Sequence, residues 1–244
     1  MKVIGVIPAR YKSSRYPGKP LVEILGIPMV IRVAKIVSDA LGKENTYVAT
    51  EDERIKTVVE NHGFNVVMTS DNCLTGTDRV WEVAKQIKAD IYVNVQGDEP
   101  LLNPLDIKKI ADVKISHPNF VINGMIALSE KEDPFNVNIP KVLVNQHNDL
   151  LYMSRLPIPG IKDNKVGKPV YMKQVCIYAF NYEELKIFGN ATAKAEFEKY
   201  EDIEILRFFD FKVPIKMVET SSNSLAVDVE EDVQSVEKYI IENL

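Results

Sequence analysis

The chain has 244 residues, enough for one large domain or two small ones. Its 30 Lys and Arg against 35 Asp and Glu leave a net charge of −5, and 45% of residues are hydrophobic. Such a composition excludes disorder, a collagen and a disulfide scaffold, and gives nucleic acid or anionic lipid no global charge to bind.

A polyanion would therefore need a local cluster of cations. Cys73 and Cys176 are far apart with no CxxC pair, which disfavours a thiolate zinc site. His62, His117 and His147 show no metal-ligand spacing and make a histidine triad unattractive. No apolar run reaches the ~18 residues of a membrane span. The N-terminus enters MKVIGVIPAR directly, without a signal-peptide pattern, so a reduced cytoplasmic protein is expected.

In chain order, residues 3–7 form an apolar run ended by Pro8, as in a buried strand. The loop ARYKSSRYPGKP follows at 9–20. Pro28 opens a helix carrying Val30, Val33, Ala34, Val37 and Leu41 at helical spacing. A strand is expected at 46–50, then a helix capped by Asp52 with Ile55, Val58 and Val59 inward. Residues 65–68 read as a strand, and Thr77 or Asp78 starts a helix with Val80, Val83, Ala84 and Ile87 on one stripe. Trp81 lies off that stripe, so partial burial is expected. Another strand is expected at 91–95, and Pro104, after Asn103, suits the first turn of a helix.

Strand and helix alternate through this half, which predicts a mainly parallel sheet covered on both faces. Ligands of such sheets bind beyond the carboxyl ends of the strands. The second half is less regular. Strands are expected at 120–127, 141–144, 150–153 and 170–180, a turn at 145–149, a mobile loop at 157–169, and helices at 197–209 and 232–241. No linker or repeat divides the chain, so residues 1–244 read as one domain with an inserted or appended sub-region.

Four segments could carry chemistry. The first loop gathers Arg10, Lys12, Arg15 and Lys19 among Ser13, Ser14 and Gly18, where small residues allow backbone N–H groups near an anion. It is neither a Walker A nor a GxGxxG sequence, and a solvated basic loop is the alternative. NVQGDEP (94–100) presents Asp98 at a strand end, where a carboxylate can hold phosphate-bound Mg²⁺; an ordinary acidic turn is the alternative. In TGTDR (75–79), a helix cap is the simpler reading. Asp228 in LAVDVEED is either part of an acidic helix start or a second metal ligand. Cys176 is expected to be merely buried.

Taken together, IPARYKSSRYPGKPL, TGTDR, VNVQGDEP, YMSRLPIP and VDVEED resemble, in order, the pattern of the 3-deoxy-manno-octulosonate cytidylyltransferase (CMP-Kdo synthetase) family. The resemblance implies a Rossmann-like α/β nucleotide-diphospho-sugar transferase fold. That is a mainly parallel mixed sheet with helices on both faces and a small dimerisation and sugar-binding sub-region. It also implies a Mg²⁺-dependent homodimer that transfers CMP from CTP to the anomeric hydroxyl of a 3-deoxy-2-ulosonic acid and releases pyrophosphate.

By the same resemblance Ala9, Arg10, Ser13, Arg15 and Lys19 would hold the nucleotide with Thr75, Gly76, Arg79 and Gln96. Arg10, Lys19, Asp98 and Asp228 would be catalytic, the two aspartates as magnesium ligands. Gln96, Arg155, Gln174, Tyr178 and Glu204 would face the sugar. Two positions depart from the family pattern: Gln174 replaces a histidine in MKQVCIYAF, and Ile205 replaces a glutamine in IEILR. Both fall where the resemblance implies that the sugar is read, which keeps Kdo and a modified Kdo such as an amino-Kdo open as acceptors. A same-fold enzyme acting on a nonulosonic acid or a non-sugar acid is the alternative, and a non-catalytic nucleotide binder is a further one.

Overall fold

The computed structural model describes residues 1–12, 16–163, 165, 167–221 and 225–243. Strand β1 (Val3–Pro8) is the apolar run of the N-terminus, and only its first residue is not buried. The two-residue strands β2 (Glu23–Ile24) and β3 (Ile27–Pro28) form a small hairpin before α1 (Met29–Leu41). Then come β4 (Thr46–Thr50), α2 (Glu53–Asn61), β5 (Asn65–Met68), α3 (Gly76–Gln86), β6 (Ile91–Val95) and α4 (Pro104–Ser116). The expected alternation is therefore present, with Asp52 capping α2 and Asn103 capping α4 through side-chain oxygens.

The second half runs β7 (Val121–Ala127), β8 (Lys141–Val144), β9 (Leu150–Ser154), β10 (Met172–Phe180), α5 (Tyr182–Gly189), α6 (Glu196–Glu201), α7 (Arg207–Asp210), β11 (Ile215–Glu219) and α8 (Glu230–Glu242). The main sheet has the order β5-β4-β1-β6-β10-β7-β11. Its pairs are parallel except those of β10, which lies antiparallel between β6 and β7. The β8–β9 hairpin joins through β8 to the start of β10.

One face of the sheet packs on α3 and α5 through Val80, Val83, Leu185 and Phe188. The other packs on α1, α2 and α4 through Val33, Val37, Ile55, Ile107 and Ile110. Gly5 permits the α1 contact, since a Cβ there would lie 2.3 Å from Val37 Cγ1.

Several expectations are corrected. No single helix covers 197–209. The chain forms α6, a 3-10 turn at Glu204–Leu206, and α7, because Asp202 takes a left-handed conformation (φ 49°) that ends α6. Helix α5 and strand β11 had no sequence expectation. Trp81 is buried rather than partly exposed, because α5 covers it: its ring meets Tyr182 at 5.3 Å, and Gly189 leaves no room for a Cβ beside it. Helix α3 is capped by Thr75, not by Thr77 or Asp78. Asp78 instead reaches back from the third helical position to the Thr75 N–H, completing a reciprocal capping box. Among the described residues, no helix is long and apolar enough to cross a membrane.

Candidate active site

The carboxyl ends of β1 and β6 lie side by side, so the loops after them meet. Gly18, at φ 75°, makes the left-handed turn that returns the first loop and starts the 3-10 turn Lys19–Leu21. From there the Lys19 Nζ donates to Asp98 Oδ2 at 2.9 Å and to the Val227 carbonyl at 2.8 Å, and lies 3.7 Å from Asp228 Oδ1. The Val227 N–H donates in turn to the Asp98 carbonyl at 3.0 Å. Three segments distant in sequence thus converge on one ammonium.

The acidic cluster before α8 divides its work. Asp232 accepts from the Asp228 and Val229 N–H groups at the helix start, and Asp228 turns to Lys19. The Lys19 side chain is 14% exposed, against 30% for Asp98 and 37% for Asp228. The ammonium is therefore the most enclosed of the three groups, and both carboxylates stay partly exposed.

Gly97 sets the position of Asp98, because a Cβ there would lie 2.8 Å from the Pro8 carbonyl oxygen. Backbone cannot yield as a flexible side chain does. Gly97→Ala is expected to lower kcat/KM by about 10–100-fold, since small misplacements of aligned groups are costly. Steady-state turnover in the transfer that the motifs imply checks this, and an unchanged kcat/KM would remove the close-approach argument.

Beside Asp98, Gln96 Nε2 donates to Glu204 Oε1 at 3.0 Å, and Glu204 Oε2 accepts from the Thr77 N–H at 3.1 Å. Gly76 lies against Gln96, where a Cβ would sit 2.7 Å from its Nε2. Burial pushes the Glu204 carboxyl above its ordinary pKa, against the Thr77 and Thr75 hydrogen bonds. Thr75, Gly76, Thr77, Gln96 and Glu204 are therefore one connected group, and Asp98 follows two residues after Gln96 on the same loop.

Beneath it lies a buried ion network that sequence reading did not find. Arg207, fully buried, donates to Glu198 at 2.7 and 2.6 Å and to Asp78 at 2.8 and 3.3 Å. Asp78 also accepts from the Thr75 hydroxyl and N–H, so Arg207 underpins the start of α3. Glu198 and Arg207 lie nine residues apart and Asp78 far away in sequence, so no local signal marked the network.

The remaining candidates divide. Ala9 is buried with its N–H on the Ala49 carbonyl, and Arg10 is exposed at the rim. Ser13 and Arg15 lie outside the described residues. Arg79 is buried and turned onto Thr69 Oγ1 (2.5 Å), the Ser70 carbonyl (3.2 Å) and Glu51 Oε2 (3.0 Å). Glu51, missed from sequence, also accepts from the Tyr11 N–H at 2.9 Å and so links Arg79 to the first loop.

Arg155 turns its Nε, Nη1 and Nη2 onto the carbonyls of Glu201, Val137 and Asp202, contacts that belong to the β9–α6 junction. Gln174 Nε2 donates to Asn123 Oδ1 and Tyr178 Oη, and Asn123 Nδ2 donates to the Val175 and Ile177 carbonyls across a bulge in β10. That bulge presents the Cys176 carbonyl to the Gln96 N–H, so Gln174 and Tyr178 connect to the centre through backbone. Burial holds the Tyr178 phenol and the Cys176 thiol well above their ordinary pKa values, and raises the Cys73 thiol to about 11. Both thiols therefore stay protonated at neutral pH.

Comparison with known proteins bears on this geometry. A family model described as Cytidylyltransferase matches residues 4–215. The 3-deoxy-manno-octulosonate cytidylyltransferase of Parabacteroides distasonis is 36% identical over 251 residues, 98% of each chain. The chain belongs to the 3-deoxy-manno-octulosonate cytidylyltransferase family. Within that family it is also 37% identical to the 8-amino-3,8-dideoxy-manno-octulosonate cytidylyltransferase of Shewanella baltica, over 98% of this chain and 99% of the relative. A solved CMP:2-keto-3-deoxy-manno-octonic acid synthetase, complexed with CTP, superposes with a TM-score of 0.91 at 34% identity over all of both chains. The fold is thus the nucleotidyltransferase fold that the sequence motifs imply.

Proposed function

We propose that this chain transfers CMP from CTP to the anomeric hydroxyl of a 3-deoxy-2-ulosonic acid, Kdo or a modified Kdo such as an amino-Kdo, for cell-surface polysaccharide or lipopolysaccharide synthesis. The observation that carries the reading is the meeting of Lys19, Asp98 and Asp228 beyond the ends of β1 and β6. Relatives named for Kdo and for its 8-amino form, at nearly equal identity, support both acceptors.

The anomeric oxygen attacks the α-phosphorus, the new O–P bond forms as the bond from the α-phosphorus to the β-phosphate oxygen breaks, the hydroxyl proton passes to water, and the β- and γ-phosphates leave as pyrophosphate. No covalent enzyme intermediate is needed. The work of the site is alignment and charge neutralisation. Arg10, Ser13, Arg15 and Lys19 would take the triphosphate. Ala9, Thr75, Gly76 and Arg79 would flank the base and ribose, with Arg79 acting by holding the wall. Gln96, steadied by Glu204, would align the acceptor. Gln174 and Tyr178 would shape the sugar pocket from β10. Arg155 would answer the sugar carboxylate by exchanging carbonyl partners for it.

Asp98 and Asp228 supply two partly exposed carboxylates, a donor set that fits Mg²⁺ shared with substrate phosphates. When bound, Mg²⁺ would neutralise phosphate charge at the reacting centre.

Exposed Leu151, Leu156, Phe197 and Tyr200 on and beside β9 support a homodimer through that region, and the absence of a membrane-length helix among the described residues suits a cytoplasmic enzyme. The test is pyrophosphate release from CTP and Mg²⁺ with Kdo, 8-amino-Kdo, a nonulosonic acid and a non-sugar acid. Turnover with one of the first two is expected. Turnover only with the latter two would overturn the acceptor class and keep the reaction.

A further inference from the structure

The Lys19 ammonium occupies the position between the two carboxylates that the proposed function assigns to a divalent cation. Its three partners are Asp98 Oδ2, Asp228 Oδ1 and the Val227 carbonyl. Two carboxylates gathered at 2.9 and 3.7 Å around one point repel each other unless a cation stands there, and Lys19 provides one. A divalent ion arriving alone would have to sit beside that ammonium or expel it without offering it another anion.

A triphosphate changes this balance. Lysine is a point charge on a flexible four-carbon stem, so its head can swing to phosphate oxygens and release the carboxylates. The exchange conserves charge pairing at each moment. Resting on the reading of Asp98 and Asp228 as metal carboxylates, we propose that Lys19 is a resident counter-ion that pre-positions both of them and makes divalent-metal entry depend on the nucleotide. Binding of the two is then coupled, and the coupling is reciprocal.

Mn²⁺ binding to the full-length protein without nucleotide, followed by electron paramagnetic resonance, tests this. Lys19→Met is expected to bind Mn²⁺ at least about 10-fold more tightly than wild type, within the usual range of coupling between sites. Lys19→Arg, which keeps a cation there, is expected to bind as weakly as wild type. Lys12→Met removes an exposed cation from the same loop and is expected to leave Mn²⁺ affinity within about 3-fold, which separates direct contact from general charge. Lys19→Gln provides a second neutral side chain should the methionine variant fail to fold.

Equal Mn²⁺ affinity in wild type and both neutral variants would overturn the counter-ion role, as would tightening that persists in Lys19→Met/Asp98→Asn. CMP transfer by the wild type in EDTA tests the underlying reading separately. Transfer that survives EDTA overturns both. Metal-dependent transfer with no tightening in the neutral variants overturns only the role of Lys19.

Discussion

Arg207→Met is expected to cost about 3–5 kcal/mol of stability, the usual penalty for breaking a buried ion pair by removing one partner. The side chain is fully buried, makes paired contacts to Glu198 and Asp78, and lies 3.8 Å over the Phe188 ring. Burial alone would lower the Arg207 pKa, but the hydrogen bonds to Glu198 and Asp78 more than offset it, so the guanidinium stays charged. Methionine has similar reach and no charge, which leaves two buried carboxylates without their cation. For a chain of this size the loss corresponds to a fall in Tm of about 6–20 °C. Lysine can restore the charge but not the two-sided fork, so Arg207→Lys is expected to recover only part of it. Thermal unfolding measures both variants, and a loss under about 1 kcal/mol in Arg207→Met would mean the network carries little net stability.

Asp98→Asn is expected to leave the fold intact and lower kcat/KM by about 10³-fold or more. The substitution keeps the shape and removes the charge that holds Lys19 and that would hold a metal. A reacting-centre charge is worth several kcal/mol, and each 1.36 kcal/mol is about tenfold in rate. Asp98 is partly exposed at a loop, so its neutral amide leaves no deeply buried group unpaired. Pyrophosphate release and thermal unfolding are to be measured together. A loss under about tenfold, with the fold intact, would remove Asp98 from the catalytic group.

Much of the first half was legible because its signals are local. Apolar runs ended by Pro or polar turns mark β1, β4, β5 and β6, the Asp52 cap marks α2, and Pro104 marks the first turn of α4. The loop cations and the QGDEP turn could be assigned to strand ends by the same logic. Parts of the second half were hidden because their cause is remote. Strand β11 exists by pairing with β7, and Trp81 is buried by a helix a hundred residues further on. Helix-like spacing at 197–209 gave way to the left-handed Asp202 and the buried Arg207–Glu198 pair.

The sequence by itself determined the αβ alternation, the family motifs and the chemical types available at the site, because these depend on neighbours along the chain. Tertiary structure decided which of those side chains face one another. It inserted β10 antiparallel between β6 and β7, and its bulge turned a carbonyl to Gln96. It spent Arg79 and Arg155 on internal oxygens and separated Asp228 from Asp232. It set Lys19 between Asp98 and Asp228. Charge pairing acts through space at a few ångströms, so only the folded chain settles which carboxylate meets which cation.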